Sequence, residues 1–157
     1  MVDNKMDLPY LEQNCSLTLR EGLELHYGVN PTFKENTRKA PVFYNHDLAH
    51  VLFGLDTSIK HEGLVDCRCI FSTNWGIKKY ITDYYRDSES MKIIMSIFKE
   101  IGFFRGVVDS FKSFPNMIKV YLDSKKMYKK WEINPSDEVL DMKLNDLRKA
   151  YNITVIN

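Results

Sequence analysis

The sequence predicts an all-α protein, a compact helical bundle, and three observations carry that prediction. Apolar residues recur at steps of three and four over long stretches, the spacing of one face of an α-helix. Ser, Thr or Asp stands ahead of several of those stretches, where a helix needs a side chain to cap its first free N–H groups. No run of alternating apolar and polar residues competes as a strand, and no internal repeat or low-complexity tract is found. A chain of 157 residues is long enough for one continuous core and short for two, so residues 1–157 read as a single domain.

Taken in order, residues 10–27 place Leu11, Leu19, Leu23 and Tyr27 in an imperfect helical stripe. From Asn30-Pro31 to Pro41 the chain is polar and carries two prolines, so a connecting loop is expected. Val42 to Leu55 reads as a helix ending near Gly54, since glycine accepts the left-handed conformation that stops a helix. Asp56, Thr57 and Ser58 are cap candidates for a second helix close behind it. Residues 64–76 show no clear period and stay open between helix and loop. Beyond Ser88 or Ser90 as a cap, Ile94, Phe98, Ile101, Phe104, Val108 and Phe111 make the strongest amphipathic pattern, predicting a helix up to Pro115. A further helix is expected from Pro115 to Trp131, carrying Lys125, Lys126, Lys129 and Lys130. Ser136 caps a last helix with Leu140, Leu144, Leu147 and Tyr151 on one face.

Composition narrows the function. Apolar residues make up 44% and charged residues 27%, an ordinary globular balance. The 22 basic and 21 acidic side chains nearly cancel, to a formal charge of +1, which removes the field that draws a protein onto DNA or RNA; no nucleic-acid partner is expected. Lys, Asp or Arg interrupts every hydrophobic segment before the roughly 18 apolar residues a membrane-spanning helix needs. The opening MVDNKMDLPYL has neither the apolar core of a signal peptide nor the basic amphipathic pattern of a transit peptide. A cytoplasmic location is expected, with room for peripheral contact at the inner face of a membrane. Cys15, Cys67 and Cys69 form an odd set without the spacing of a zinc ribbon and read as reduced thiols. The absence of a Gly-rich phosphate loop, a dinucleotide fingerprint and a Gly-x-Ser-x-Gly elbow argues against nucleotide cofactors.

The chemistry concentrates in His46-Asp47-Leu48-Ala49-His50. Two imidazoles four residues apart share one face of a helix, one turn apart, and Asp47 lies beside them, three positions before His50. Imidazole and carboxylate together suit zinc first, with iron, cobalt or manganese also compatible, at bond lengths of about 2.0 to 2.2 Å. Glu62 is the fourth candidate, and arithmetic tests it. A straight helix would carry it roughly 18 Å from His50, at about 1.5 Å per residue. A shared ion therefore requires the chain to reverse, and Gly54 with the cap signals at 56–58 supplies the place. The expectation is a metal-binding helical hairpin with His46, Asp47, His50 and Glu62 as both ligands and catalytic centre.

His46-Asp47-x-x-His50, eleven residues and Glu62 resemble the signature of the fourth Coq protein of ubiquinone (coenzyme Q) biosynthesis, the Coq-four family. HDLAHVLFGLDTSIKHE also keeps the Val-Leu-x-Gly after the second histidine and the Thr before the glutamate. Trp131-Glu132, Leu147-Arg148 and Ile153 are similar to the family's closing segment, so the likeness runs over residues 43–154. The chain departs at His61, where the family usually carries glycine. The resemblance implies an all-helical protein that binds zinc or a similar ion and a polyprenylated aromatic or isoprenoid lipid, beside other quinone biosynthesis proteins. It further implies removal of the C1 carboxyl from a polyprenyl-hydroxybenzoate, with hydroxylation at that carbon. A cation would act there as a Lewis acid on phenolate or carboxylate oxygens, stabilising charge as carbon dioxide leaves.

Two other readings share the motif. A non-catalytic scaffold could hold polyprenyl intermediates with the same residues. An HD-type metal-dependent phosphohydrolase also begins on His-Asp, but needs an upstream histidine, for which His26 is the sole candidate. His26 and His61 are otherwise expected at the surface, with His61 alternatively supporting Glu62 from behind. The apolar face of residues 91–114, with Gly102 and Gly106, could line a groove for an isoprenoid tail or simply be core, and the lysine cluster could meet anionic head groups or only solvent. A homo-oligomer is compatible with the sequence.

Overall fold

The computed structural model describes residues 8–101 and 103–156, with side-chain surroundings at all of these except 84, 85, 97, 98, 100, 101 and 103–113. The all-α class holds: among the described residues there are helices and two isolated bridges, and no strand. A single 3-10 turn, Pro9–Leu11, buries Tyr10. The first α-helix, α1 (Leu19–Val29), follows only at Leu19 because Thr18 fixes its start. The Thr18 hydroxyl accepts from the Glu21 N–H at 3.1 Å and the Glu21 carboxylate accepts from the Thr18 N–H at 2.8 Å, a reciprocal cap. The stripe expected from residue 10 onward is thus a turn and a later helix.

The loop expected between the prolines is instead a helix, α2 (Pro31–Lys39). Pro31 is its first residue, where the missing N–H removes no bond, and α2 buries no side chain, so no apolar periodicity announced it. Next comes α3 (Val42–Phe53), with residues 46–53 all buried. It stops as expected at Gly54, whose φ of 68° lets its N–H reach back to the His50 and Val51 carbonyls. Ser58 precedes α4 (Ile59–Phe71), so the stretch from 64 resolves as helix, then turn, before α5 (Gly76–Tyr85).

Helices α6 (Ser88–Ile101) and α7 (Phe103–Ser124) flank position 102, which lies outside the described residues. Pro115 is internal to α7 and not a boundary. The expected helix to Trp131 ends at Ser124, so the four lysines lie beyond it and share no helical face. Lys125 sits 5.3 Å over the Tyr121 ring, Lys129 sits 4.5 Å over Tyr151, and Lys130 bonds the Phe71 carbonyl. The last predicted helix is two, α8 (Asp137–Leu140) and α9 (Leu144–Tyr151). Tertiary pairing splits it: the Leu19 N–H donates to the Met142 carbonyl and the Leu144 N–H to the Leu17 carbonyl, at 3.0 and 2.8 Å.

One hydrophobic core runs from Tyr10 to Ile153, and α3 passes through its centre with Leu48, Val51, Leu52 and Phe53 fully buried. Two buried arginines tie the ends of the chain to that helix. Arg148 donates to the carbonyls of Tyr10 (2.6 Å), Glu12 (2.5 Å), Val51 (3.0 Å) and Leu52 (2.9 Å). These include the Leu52 carbonyl, which the C-terminal end of α3 leaves without a backbone partner. Arg68 pairs with Asp123 at 2.7 Å, donates to Thr154 at 2.8 Å and lies 4.8 Å over the Phe53 ring. Among the described residues no helix is long and apolar enough to cross a membrane.

Candidate metal centre

The reversal at Gly54 lays α4 back against α3, and three predicted residues meet across the hairpin. Donor atoms of His46, His50 and Glu62 all lie within 4.8 Å of one another. The Glu62 carboxylate stands 3.4 Å from His50 Nε2 and 3.8 Å from His46 Nε2. Such separations across two helices suit a small divalent cation placed between them with metal–ligand bonds of about 2 Å, and a donor set of two imidazoles and a carboxylate is compatible with zinc or iron. His50 is fully buried, and its Nδ1 lies 3.2 Å from the Leu55 carbonyl, which orients Nε2 toward the centre. That carbonyl belongs to the residue after the helix-ending glycine, so the turn both reverses the chain and aims the His50 imidazole. Glu62 keeps 39% of its side chain exposed and so marks the open side.

Asp47, the remaining predicted ligand, lies outside this trio. It is buried, with one carboxylate oxygen 3.8 Å from His26 Nε2 and 4.0 Å from His46 Nδ1, the edge of that ring opposite the cluster. His26 is the main correction among the histidines: expected at the surface, it is fully buried. Its Nδ1 is 3.1 Å from the Tyr10 hydroxyl, and its ring stacks over His50 with centroids 5.2 Å apart. Gly22 permits this, because a Cβ there would stand 2.5 Å from Val51 and push α1 off α3. His61, also expected at the surface, is largely buried and pairs with Asp56 at 2.9 Å, holding the hairpin turn from inside.

Asp66 escaped the sequence reading. It stands one turn beyond Glu62 on α4, with its carboxylate 3.3 Å from His46 Nε2, and Tyr80 of α5 donates its hydroxyl to the same oxygen. A four-residue step from Glu62 was the available signal.

The electrostatics follow from the carboxylates. Burial opposes a charge on His46, but Asp66 and Glu62 outweigh it and raise the imidazole to about 9. Burial likewise opposes charge on Glu62, yet His50 and His46 hold its carboxyl down at about 2. His26, buried and beside His50, is pushed below its ordinary value, with Asp47 pulling partly the other way. At neutral pH an anionic Glu62 thus faces a protonated His46, so any cation bound between them would have to displace that proton.

The apolar face considered as a groove falls largely on Phe98, Ile101, Gly102, Phe104, Gly106, Val108 and Phe111, which lie outside the described surroundings. A described cleft of about 520 Å³ adjoins the hairpin instead, lined by Val42, Asn45, Trp75, Lys79, Asp83 and Arg86 among others. The chain matches no protein-family model, no curated protein and no solved structure.

Proposed function

We propose that this chain is a divalent-metal protein of quinone biosynthesis of the Coq-four kind, acting on a polyprenyl-hydroxybenzoate to release its C1 carboxyl as carbon dioxide, with hydroxylation at that carbon at the expense of dioxygen as the two-electron oxidant. The observation that carries it is the meeting of His46, His50 and Glu62 across the hairpin, the spacing on which the resemblance rests. Zinc fits the donor set first. When bound, the cation supplies Lewis acidity for phenolate or carboxylate oxygens. The chain's residues do the rest. His50, oriented through Leu55, and His46 hold their Nε2 atoms toward the open side, and Glu62 is the partly exposed group next to an incoming ring. Burial of both imidazoles excludes water from behind the centre, which strengthens every charge interaction in front of it.

A scaffold that holds polyprenyl intermediates without chemistry would use the same residues, and turnover by the purified protein separates the two. An HD-type phosphohydrolase is less well supported, since the three-donor cluster uses Glu62 and leaves His26 bonded to Tyr10. Phosphatase activity with added manganese would reveal it. For the principal reading, His46→Ala or His50→Ala is expected to lose both metal content, by elemental analysis, and decarboxylation. Turnover that survives in a metal-free variant would remove it.

A further inference from the structure

We infer that the second carboxylate of the metal centre in this chain is Asp66, held by Tyr80, and that Asp47 serves the buried His26 instead; this rests on the metal-binding reading above. Three observations on different elements point the same way.

The first is the edge of His46 that each acid meets. Asp66 lies 3.3 Å from Nε2, the nitrogen that also faces Glu62 at 3.8 Å. Asp47 lies 4.0 Å from Nδ1, the other ring nitrogen. A ligand bonds an imidazole in the plane of the ring along one nitrogen's lone pair, so an ion on Nε2 has Asp66 on its side and Asp47 behind the ring.

The second is support. Tyr80 is 4% exposed, packs its ring edge against Trp75 with centroids 5.2 Å apart, and donates to Asp66. A carboxylate offers about four lone-pair directions, so this bond fixes the group while leaving it able to ligate. Ligating carboxylates are characteristically steadied by such outer hydrogen bonds. Asp47, by contrast, is drawn toward α1, where the side chain of His26 has no other described partner on Nε2.

The third is charge. Two neutral imidazoles with Glu62 alone would leave a divalent ion with one uncompensated positive charge in a largely buried place. Glu62 and Asp66 together neutralise it, and both stand on the open face of α4, so the chain supplies acids from one helix and imidazoles from the other.

The test uses the full chain freed of metal and titrated with cobalt(II), read by its visible ligand-field bands, with metal-free thermal melts as a folding control. Asp66→Asn is expected to melt like the parent, to bind cobalt about tenfold or more weakly, and to shift the bands. Asp47→Asn is expected to leave the band positions unchanged. Tyr80→Phe keeps the packed ring and is expected to weaken binding severalfold. It covers the case in which Asp66→Asn fails to fold. Parent-like affinity and bands in Asp66→Asn, or in Tyr80→Phe should Asp66→Asn not fold, would overturn the assignment while the metal reading stands. A band shift in Asp47→Asn would do the same. Failure of the parent chain to bind cobalt would instead remove the metal reading, and the assignment with it.

Discussion

At the scale of single residues, the protein is governed by how His46 is charged. Its imidazole is raised from the ordinary 6.5 to about 9 because neighbouring carboxylates outweigh its burial. The folded metal-free chain therefore holds this proton more tightly than the unfolded one. The stabilisation is complete below about pH 6.5 and fades as pH rises through about 9. Glu62 acts at the other end: its carboxyl is lowered from 4.5 to about 2, so its contribution is present above about pH 4.5 and is lost only as pH falls toward 2. Between neutrality and about pH 9.5 the metal-free protein should lose melting temperature, and His46→Gln should remove that component of the slope. A parent and variant with parallel profiles would show that the pair does not set it. Some of this was legible in advance. His46, His50 and Glu62 were found because spacing and a cap signal sufficed. His26 was not, because its burial depends on Gly22 letting α1 approach Val51, a contact between helices that no local pattern encodes. Asp66 was missed because an acid on a helix face is ordinarily solvated, and only the placement of α5 brings Tyr80 to it.

At the scale of elements, the hairpin turn is the working part. Gly54 has a φ of 68°, and a Cβ there would stand 2.8 Å from Val155 and 3.2 Å from the Tyr10 carbonyl. Gly54→Ala is expected to cost about 1–3 kcal/mol in urea unfolding, from the left-handed backbone alone or with added crowding. Because His50 is aimed through the Leu55 carbonyl, the same change should weaken metal binding, whereas a remote change of equal cost should not. The end of α3 is readable because a left-handed glycine stop is local chemistry. The elements that were misread are those decided elsewhere. Helix α2 has no buried face to give it a period, and the prolines that flank it are a pattern a loop shares. The separation of α8 from α9 comes from pairing with residues 17–19, more than a hundred positions away. Pro115 lies within α7 despite the missing N–H, so proline was too strict a boundary there.

At the scale of the whole molecule, the buried guanidinium of Arg148 joins both ends of the chain to the helix that carries His46 and His50. It makes four short bonds to carbonyls of Tyr10, Glu12, Val51 and Leu52. Lysine has one nitrogen and cannot span them. Arg148→Lys should therefore destabilise the fold by about 2–4 kcal/mol, the cost of several buried carbonyls left short of donors. Chemical denaturation would show it, and a loss below about 0.5 kcal/mol, the range of ordinary surface changes, would refute it. Arg148 lies in the last helix and bonds the end of α3, formed some ninety residues earlier, so a ribosome still translating residues 144–155 carries an α3 whose Leu52 carbonyl lacks the guanidinium donor. Full packing of the hairpin must then wait for synthesis of that segment, and a messenger cut short there would release a polypeptide whose His46, His50 and Glu62 lack that support.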